Sequence, residues 1–131
     1  MNLPKTFAIV AIGLASSLAM AEERHLFILS GQSNMQGLKE KTSVLPELKR
    51  LLPGADIQHV KYARGGQPIR KWVKTWDLIA RKHKLTQQFN DPSEFYDIVL
   101  KQAKAKIAEG PFDSITFLWM QGEREIGRAH V

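Results

Sequence analysis

Three short apolar runs, each ending in a polar motif that contains glycine, constrain this chain more than any other feature. His25 to Leu29 leads through Ser30 into Gly31-Gln32-Ser33-Asn34-Met35. Ile57 to Ala63 leads through Arg64 into Gly65-Gly66-Gln67, and Ser114 to Met120 leads into Gln121-Gly122-Glu123. Runs of this length, rich in β-branched and aromatic residues, predict strands that meet turns. The intervening segments have helical spacing. Val44, Leu45, Leu48, Leu51 and Leu52 line one face until Pro53-Gly54 stops it. Asp91-Pro92-Ser93 resembles a helix start, Phe95, Val99, Ala103 and Ile107 recur every four residues, and Glu109-Gly110-Pro111 ends the run. Strand, helix, strand, helix, strand predicts an α/β chain, a three-layer α/β/α arrangement around a mainly parallel sheet with right-handed crossovers. The third run is nearly all apolar, which suits a strand covered on both faces. Residues 74–91 have no clear period and are expected to form a surface excursion.

Ligand sites in such sheets lie beyond the carboxyl ends of the strands. The three glycine motifs should therefore converge on one sheet edge. Glycine and polar residues end strands in many proteins, so each motif alone has a purely structural reading. Their joint recurrence points to a site.

At 131 residues the chain has room for one domain. A basic start at Lys5, an apolar or small run from Thr6 to Leu18, and Ala19-Met20-Ala21 predict a cleavable signal peptide over residues 1–21. The run is too short for a membrane span, which needs roughly 20 residues. The expected destination is the periplasm or the exterior, with no membrane association after cleavage. The chain has no cysteine, so no lipid can be attached just after the run and no disulfide can form. Residues 1–21 carry one Lys and no acid, so their removal takes the formal charge from +6 to +5. Arg70, Lys71, Lys74, Arg81, Lys82 and Lys84 cluster around Trp72 and Trp76. Basic residues interleaved with aromatics could bind a polyanion. The favoured reading packs the tryptophans on the core with the lysines reaching outward, and no nucleic-acid partner is expected.

Ser33 sits where a strand-to-helix turn would aim a hydroxyl into the sheet-edge cleft. A histidine in reach would make that hydroxyl a nucleophile, and backbone N–H groups beside it would stabilise an oxyanion. The competing role for Ser33 is a helix N-cap. The nearest sequence match to an acid and base pair, Asp56-Ile57-Gln58-His59, lies within the second strand run. Three apart in a period of two, Asp56 and His59 should point to opposite faces. His25, His83 and His130 fall at the first strand's start, in the basic stretch and in the tail, and none is expected to act as the base.

The blocks Gly31-Gln32-Ser33-Asn34-Met35-Gln36-Gly37, Ala63-Arg64-Gly65-Gly66-Gln67-Pro68-Ile69 followed by Trp72, and Trp119-Met120-Gln121-Gly122-Glu123 resemble, in order, those of the sialate O-acetylesterase domain. That family includes bacterial acetylxylan esterases and belongs to the SGNH hydrolase superfamily. The resemblance covers about residues 24–124. It implies that Ser33 is the nucleophile and that its own N–H donates to the oxyanion. Gly65 would supply a second N–H donor, with Gly66 as the alternative if the turn is shifted by one residue. Gln121 stands where related enzymes place an asparagine, so its amide would be the third donor, while Gln32, Asn34 and Glu123 would support the site. An acetylated carbohydrate would be the substrate, with no cofactor and no metal.

The family's Asp-x-x-His block, which supplies base and orienting acid, is missing after Glu123. The 22–124 segment is therefore expected to be the N-terminal part of such a domain, inactive by itself. Ile126 to Val131 can be encoded by ATC GGA AGA GCA CAC GTC, which with the stop TGA reads out of a common short-read sequencing adapter. Residues 125–131 are accordingly expected to be a non-native tail. A non-catalytic carbohydrate-binding module on an esterase-like fold is the alternative function, followed by an exported polyanion-binding protein.

Overall fold

The computed structural model describes residues 22–85 and 94–122. The expected signal peptide, the helix start at Asp91-Pro92-Ser93, Glu123, His130 and the tail lie outside them. Strand β1 (Arg24–Gly31) is followed by a short helix α1 (Ser33–Gly37), helix α2 (Val44–Leu51) and strand β2 (Asp56–Ala63). A 3-10 helix (Ile69–Trp72), helices α3 (Trp76–Lys82) and α4 (Glu94–Ile107), and strand β3 (Ser114–Met120) complete the order. All three strands are parallel and lie in the order β2-β1-β3. The chain is thus an α/β fold, with β1 at the centre and its Leu26, Phe27 and Leu29 buried.

Strand register determines what each face carries. Phe27 pairs with His59 and Thr116, Leu29 with Lys61 and Leu118, and Gly31 with Ala63 and Met120, so these residues share one face. Phe27 and Leu29 are buried there with Met35 of α1, and Leu48 and Leu52 from the α2 region pack against them. Leu26, Ile28 and Ser30 point the other way, beside Tyr62 and Trp119. That second face is covered by aromatic packing. Trp72 meets Phe95 of α4 edge-on at 4.8 Å and Trp119 at 5.3 Å, while Tyr62 lies 5.4 Å from Phe95. Helices therefore flank the sheet on both sides, giving three layers. Burying a leucine such as Leu26 or Leu29 contributes about 2 kcal/mol relative to leaving it in water.

Two expectations are corrected by the structure. β3 is an edge strand covered only in part: Ile115 and Phe117 remain 51% and 53% exposed, and Trp119 and Met120 are also exposed. The aromatic layer sits over β1 and β2 and meets β3 at Trp119. Residues 74–91 are not an irregular excursion throughout, since Trp76–Lys82 forms α3. Trp76, Ile79 and Ala80 have helical spacing, but seven residues are too few for the period to stand out.

The basic stretch is tied to α4. Lys71 pairs with Glu94 at 3.3 Å and Lys74 with Asp97 at 3.1 Å, and their ammonium groups lie over Phe95 and Tyr96. Trp72 is buried, and its indole N–H donates to the Ser30 hydroxyl at 3.1 Å.

Candidate active site

The site begins where β1 ends. Gly31 has φ +149°, and a Cβ placed on it would stand 1.9 Å from the Met120 carbonyl oxygen, so only glycine fits. The close approach is stitched on both sides: the Arg64 N–H donates to the Gly31 carbonyl at 3.1 Å, and the Gln32 N–H to the Met120 carbonyl at 2.9 Å. Ends of all three strands are thereby fixed around Gly31 and Gln32. Gln32 is fully buried, and its carbonyl accepts the Gln36 N–H at 2.7 Å.

Gln32 occupies the N-cap position of α1, and Ser33 is the first helical residue. The N-cap role considered for Ser33 therefore falls to Gln32, which makes no side-chain cap hydrogen bond. Ser33 and Asn34 are exposed, whereas Met35 points down and is 1% exposed. One turn of helix thus anchors by its methionine and presents its serine. At the far end of that turn the Lys61 ammonium donates to the Gln36 carbonyl at 3.3 Å, to the Leu38 carbonyl, and to the Glu40 carboxylate at 2.8 Å. A cation at this position offsets the partial negative charge of the unpaired carbonyls at the end of the turn. The Lys61 hydrogen bond, an N–H bond from Glu40's own backbone, and the charges of Lys61 and His59 hold the Glu40 carboxyl below its ordinary value despite partial burial. Sequence reasoning missed Lys61. Its signal is a charged residue on the core face of an otherwise apolar strand pairing.

The loop after β2 closes over Ser33. A Cβ placed on Gly65 would lie 3.6 Å from the Ser33 Cβ and 2.7 Å from the Gln36 Oε1. The Gly65 N–H, the expected second donor, gives its hydrogen bond to that same Gln36 oxygen at 2.7 Å. Gly66 adopts φ +69°, a left-handed conformation, and nothing crowds the place of its missing side chain. Glycine there serves backbone shape. From β3, the Gln121 amide nitrogen donates to the Gln67 carbonyl at 3.0 Å, joining the third motif to the second. Ser33 and Gly65 are direct neighbours, and Gln121 joins the Gly65 loop through Gln67. Glu123 lies outside the described residues.

The described histidines stand elsewhere. His25 is buried at the start of β1, with Nδ1 2.8 Å from the Ser114 hydroxyl, about 20 Å of strand before Ser33. His83 ends α3. Asp56 bonds to Arg24 at 2.8 Å and to Gln58 at 2.6 Å, and these bonds, Gln58 first, hold its carboxyl below the ordinary range. Asp56 pairs in register with Arg24 and His59 with Phe27, so the two point to opposite faces of β2. Among the described residues, no three His, Asp or Glu side chains gather closely enough to hold a metal ion, and no helix is long and apolar enough to cross a membrane.

Against protein-family models, curated proteins and solved structures, the chain returns no match.

Proposed function

We propose that this chain carries the nucleophile side of an exported serine esterase that removes acetyl groups from carbohydrates. The observation supporting this reading is the adjacency of an exposed Ser33 at the start of a one-turn helix to Gly65, whose N–H donates to Gln36 of that same turn. Acetylated sugar as substrate rests on the resemblance of the three strand-end blocks to the sialate O-acetylesterase domain.

In the proposed reaction the Ser33 Oγ attacks the acetyl carbonyl carbon, and a base takes the hydroxyl proton. The carbonyl oxygen becomes an oxyanion, for which the N–H groups of Ser33 and Gly65 and the Gln121 amide are the candidate donors. As the C–O bond to the sugar breaks, the base returns its proton to the departing alkoxide. Water then adds to the acetyl-serine and releases acetate. In the resembled family the base comes from an Asp-x-x-His block, which does not occur after Gln121 in this sequence.

The test compares two chains on a chromogenic acetate ester, each beside its Ser33→Ala variant. The 131-residue chain should show no turnover that depends on Ser33. A chain from the same reading frame that includes an Asp-x-x-His block should hydrolyse the ester, and Ser33→Ala should abolish both turnover and labelling by a serine-directed phosphonate. Phosphonate labelling that survives Ser33→Ala would overturn the assignment of the nucleophile. Binding of acetylated oligosaccharide with no turnover in either chain would favour the carbohydrate-binding module.

A further inference from the structure

Gly65 lies beside Ser33, and its N–H is a candidate donor in the proposed reaction, yet it already has an acceptor from within the chain. The Gln36 Oε1 receives it at 2.7 Å, and Gln36 is an exposed residue on the same helical turn as Ser33. Chemically that oxygen is an amide carbonyl, the nearest side-chain likeness to an ester carbonyl. The seat is snug as well: a Cβ on Gly65 would come within 2.7 Å of the Gln36 oxygen and 3.6 Å of the Ser33 Cβ. Gln36 is held by its backbone, through its N–H to the Gln32 carbonyl and its carbonyl to Lys61. Its side chain can therefore leave by rotamer change without disturbing α1.

We propose that Gln36 is a gating residue, an internal stand-in that keeps the Gly65 N–H hydrogen-bonded until a substrate's acetyl carbonyl displaces it. This rests on the esterase reading of Ser33 and Gly65 and adds to it a determinant of substrate affinity. An incoming acyl oxygen gains the Gly65 hydrogen bond only by breaking an existing one, so the exchange is close to neutral in the ground state. The gain comes as negative charge develops on that oxygen, because a hydrogen bond to an ionised acceptor is roughly twice as strong as one to a neutral acceptor. Gln36 thereby weakens ground-state and transition-state binding by the same factor, that of the bond it must give up.

The contact also has a purely mechanical reading, in which Gln36 is a strap holding the Gly65 loop in place. The two readings differ in sign. Acetate serves as the probe, its carboxylate oxygen standing in for the oxyanion. The readout is the Gly65 amide signal in a 15N-labelled 131-residue chain, titrated at constant ionic strength with chloride as the balancing anion. Gating requires Gln36→Ala to tighten acetate binding by about fivefold, the worth of one net hydrogen bond. Gln36→Glu, whose carboxylate holds the N–H more firmly, should weaken it by at least as much. Equal affinity in all three proteins, looser binding in Gln36→Ala, or no response of the Gly65 signal in any of them overturns the gate. Phosphonate labelling of Ser33 in the chain that carries an Asp-x-x-His block reports separately on the esterase reading. Labelling without Gln36 dependence refutes the gate alone; absence of labelling refutes the esterase reading itself.

Discussion

Replacing Gly31 by alanine tests the architecture at its tightest point. The new Cβ would stand 1.9 Å from the Met120 carbonyl oxygen and 2.7 Å from the carbonyl carbon, both backbone atoms. Non-bonded carbon and oxygen do not approach within 3 Å, so the strand ends must part by about 1 Å. The Gln32 N–H bond to that same carbonyl, now 2.9 Å, would be stretched with them. Backbone strain adds to the clash, since φ +149° is a region that L side chains rarely adopt. A strained φ costs about 1–3 kcal/mol and overpacking about as much again, so roughly 2–6 kcal/mol is expected in total. Set against a typical domain stability of about 5–15 kcal/mol, that is a large share. The assay is equilibrium urea unfolding followed by tryptophan fluorescence. With a slope of about 1–3 kcal/mol per molar, the midpoint should fall by about 2 M. Gly37→Ala is the matched control: a Cβ there meets nothing within 4 Å, and it lies in α1, so its effect should be neutral or slightly stabilising. A Gly31→Ala midpoint equal to that of Gly37→Ala would refute the reasoning.

Two further outcomes follow from the same geometry. Ser30→Ala removes the hydroxyl that accepts the buried Trp72 indole N–H at 3.1 Å and should destabilise by about 1–3 kcal/mol, with a changed tryptophan emission; an unchanged midpoint and spectrum would show that the bond contributes nothing. Glu40, held below its ordinary value by Lys61, contributes stability that is present above its unfolded pKa and lost as pH falls through the folded one, so Glu40→Gln should flatten the acid limb of the stability curve by at most about 1 kcal/mol.

The three parallel strands were legible because each apolar run is bounded by glycine or polar residues. Their convergence followed from topology, since parallel strands deliver their carboxyl ends to one edge. Coverage of β3 was not legible, because continuous apolarity at Ile115, Phe117, Leu118 and Trp119 is the same string whether a strand is central or at an edge. Position in the sheet decides it, and position depends on which strands pair. The same holds for Lys61 and Gln36. Lys61 reaches the end of α1 only because the register sets it opposite Leu29, and the Gln36 contact depends on how the loop after β2 folds back. Ser33 stood out as a candidate from its motif alone, but its helical position was settled by the conformation of Gln32.

The order β2-β1-β3 also shapes how the chain comes together in time. β1 emerges early and can pair with β2 once the helices between them have been made, a link such as Arg24 to Asp56 spanning 32 positions. Its other edge must wait for β3, whose Ser114 meets His25 across 89 positions. Closing the longer loop costs more chain entropy, though only logarithmically, and contacts of such separation slow folding. During synthesis the central strand therefore spends an interval half-paired, with Leu26 and Leu29 already committed to a core and one row of backbone groups still open. A chain of this topology is most vulnerable to association with its neighbours in that interval, and anything that delays β3 lengthens it.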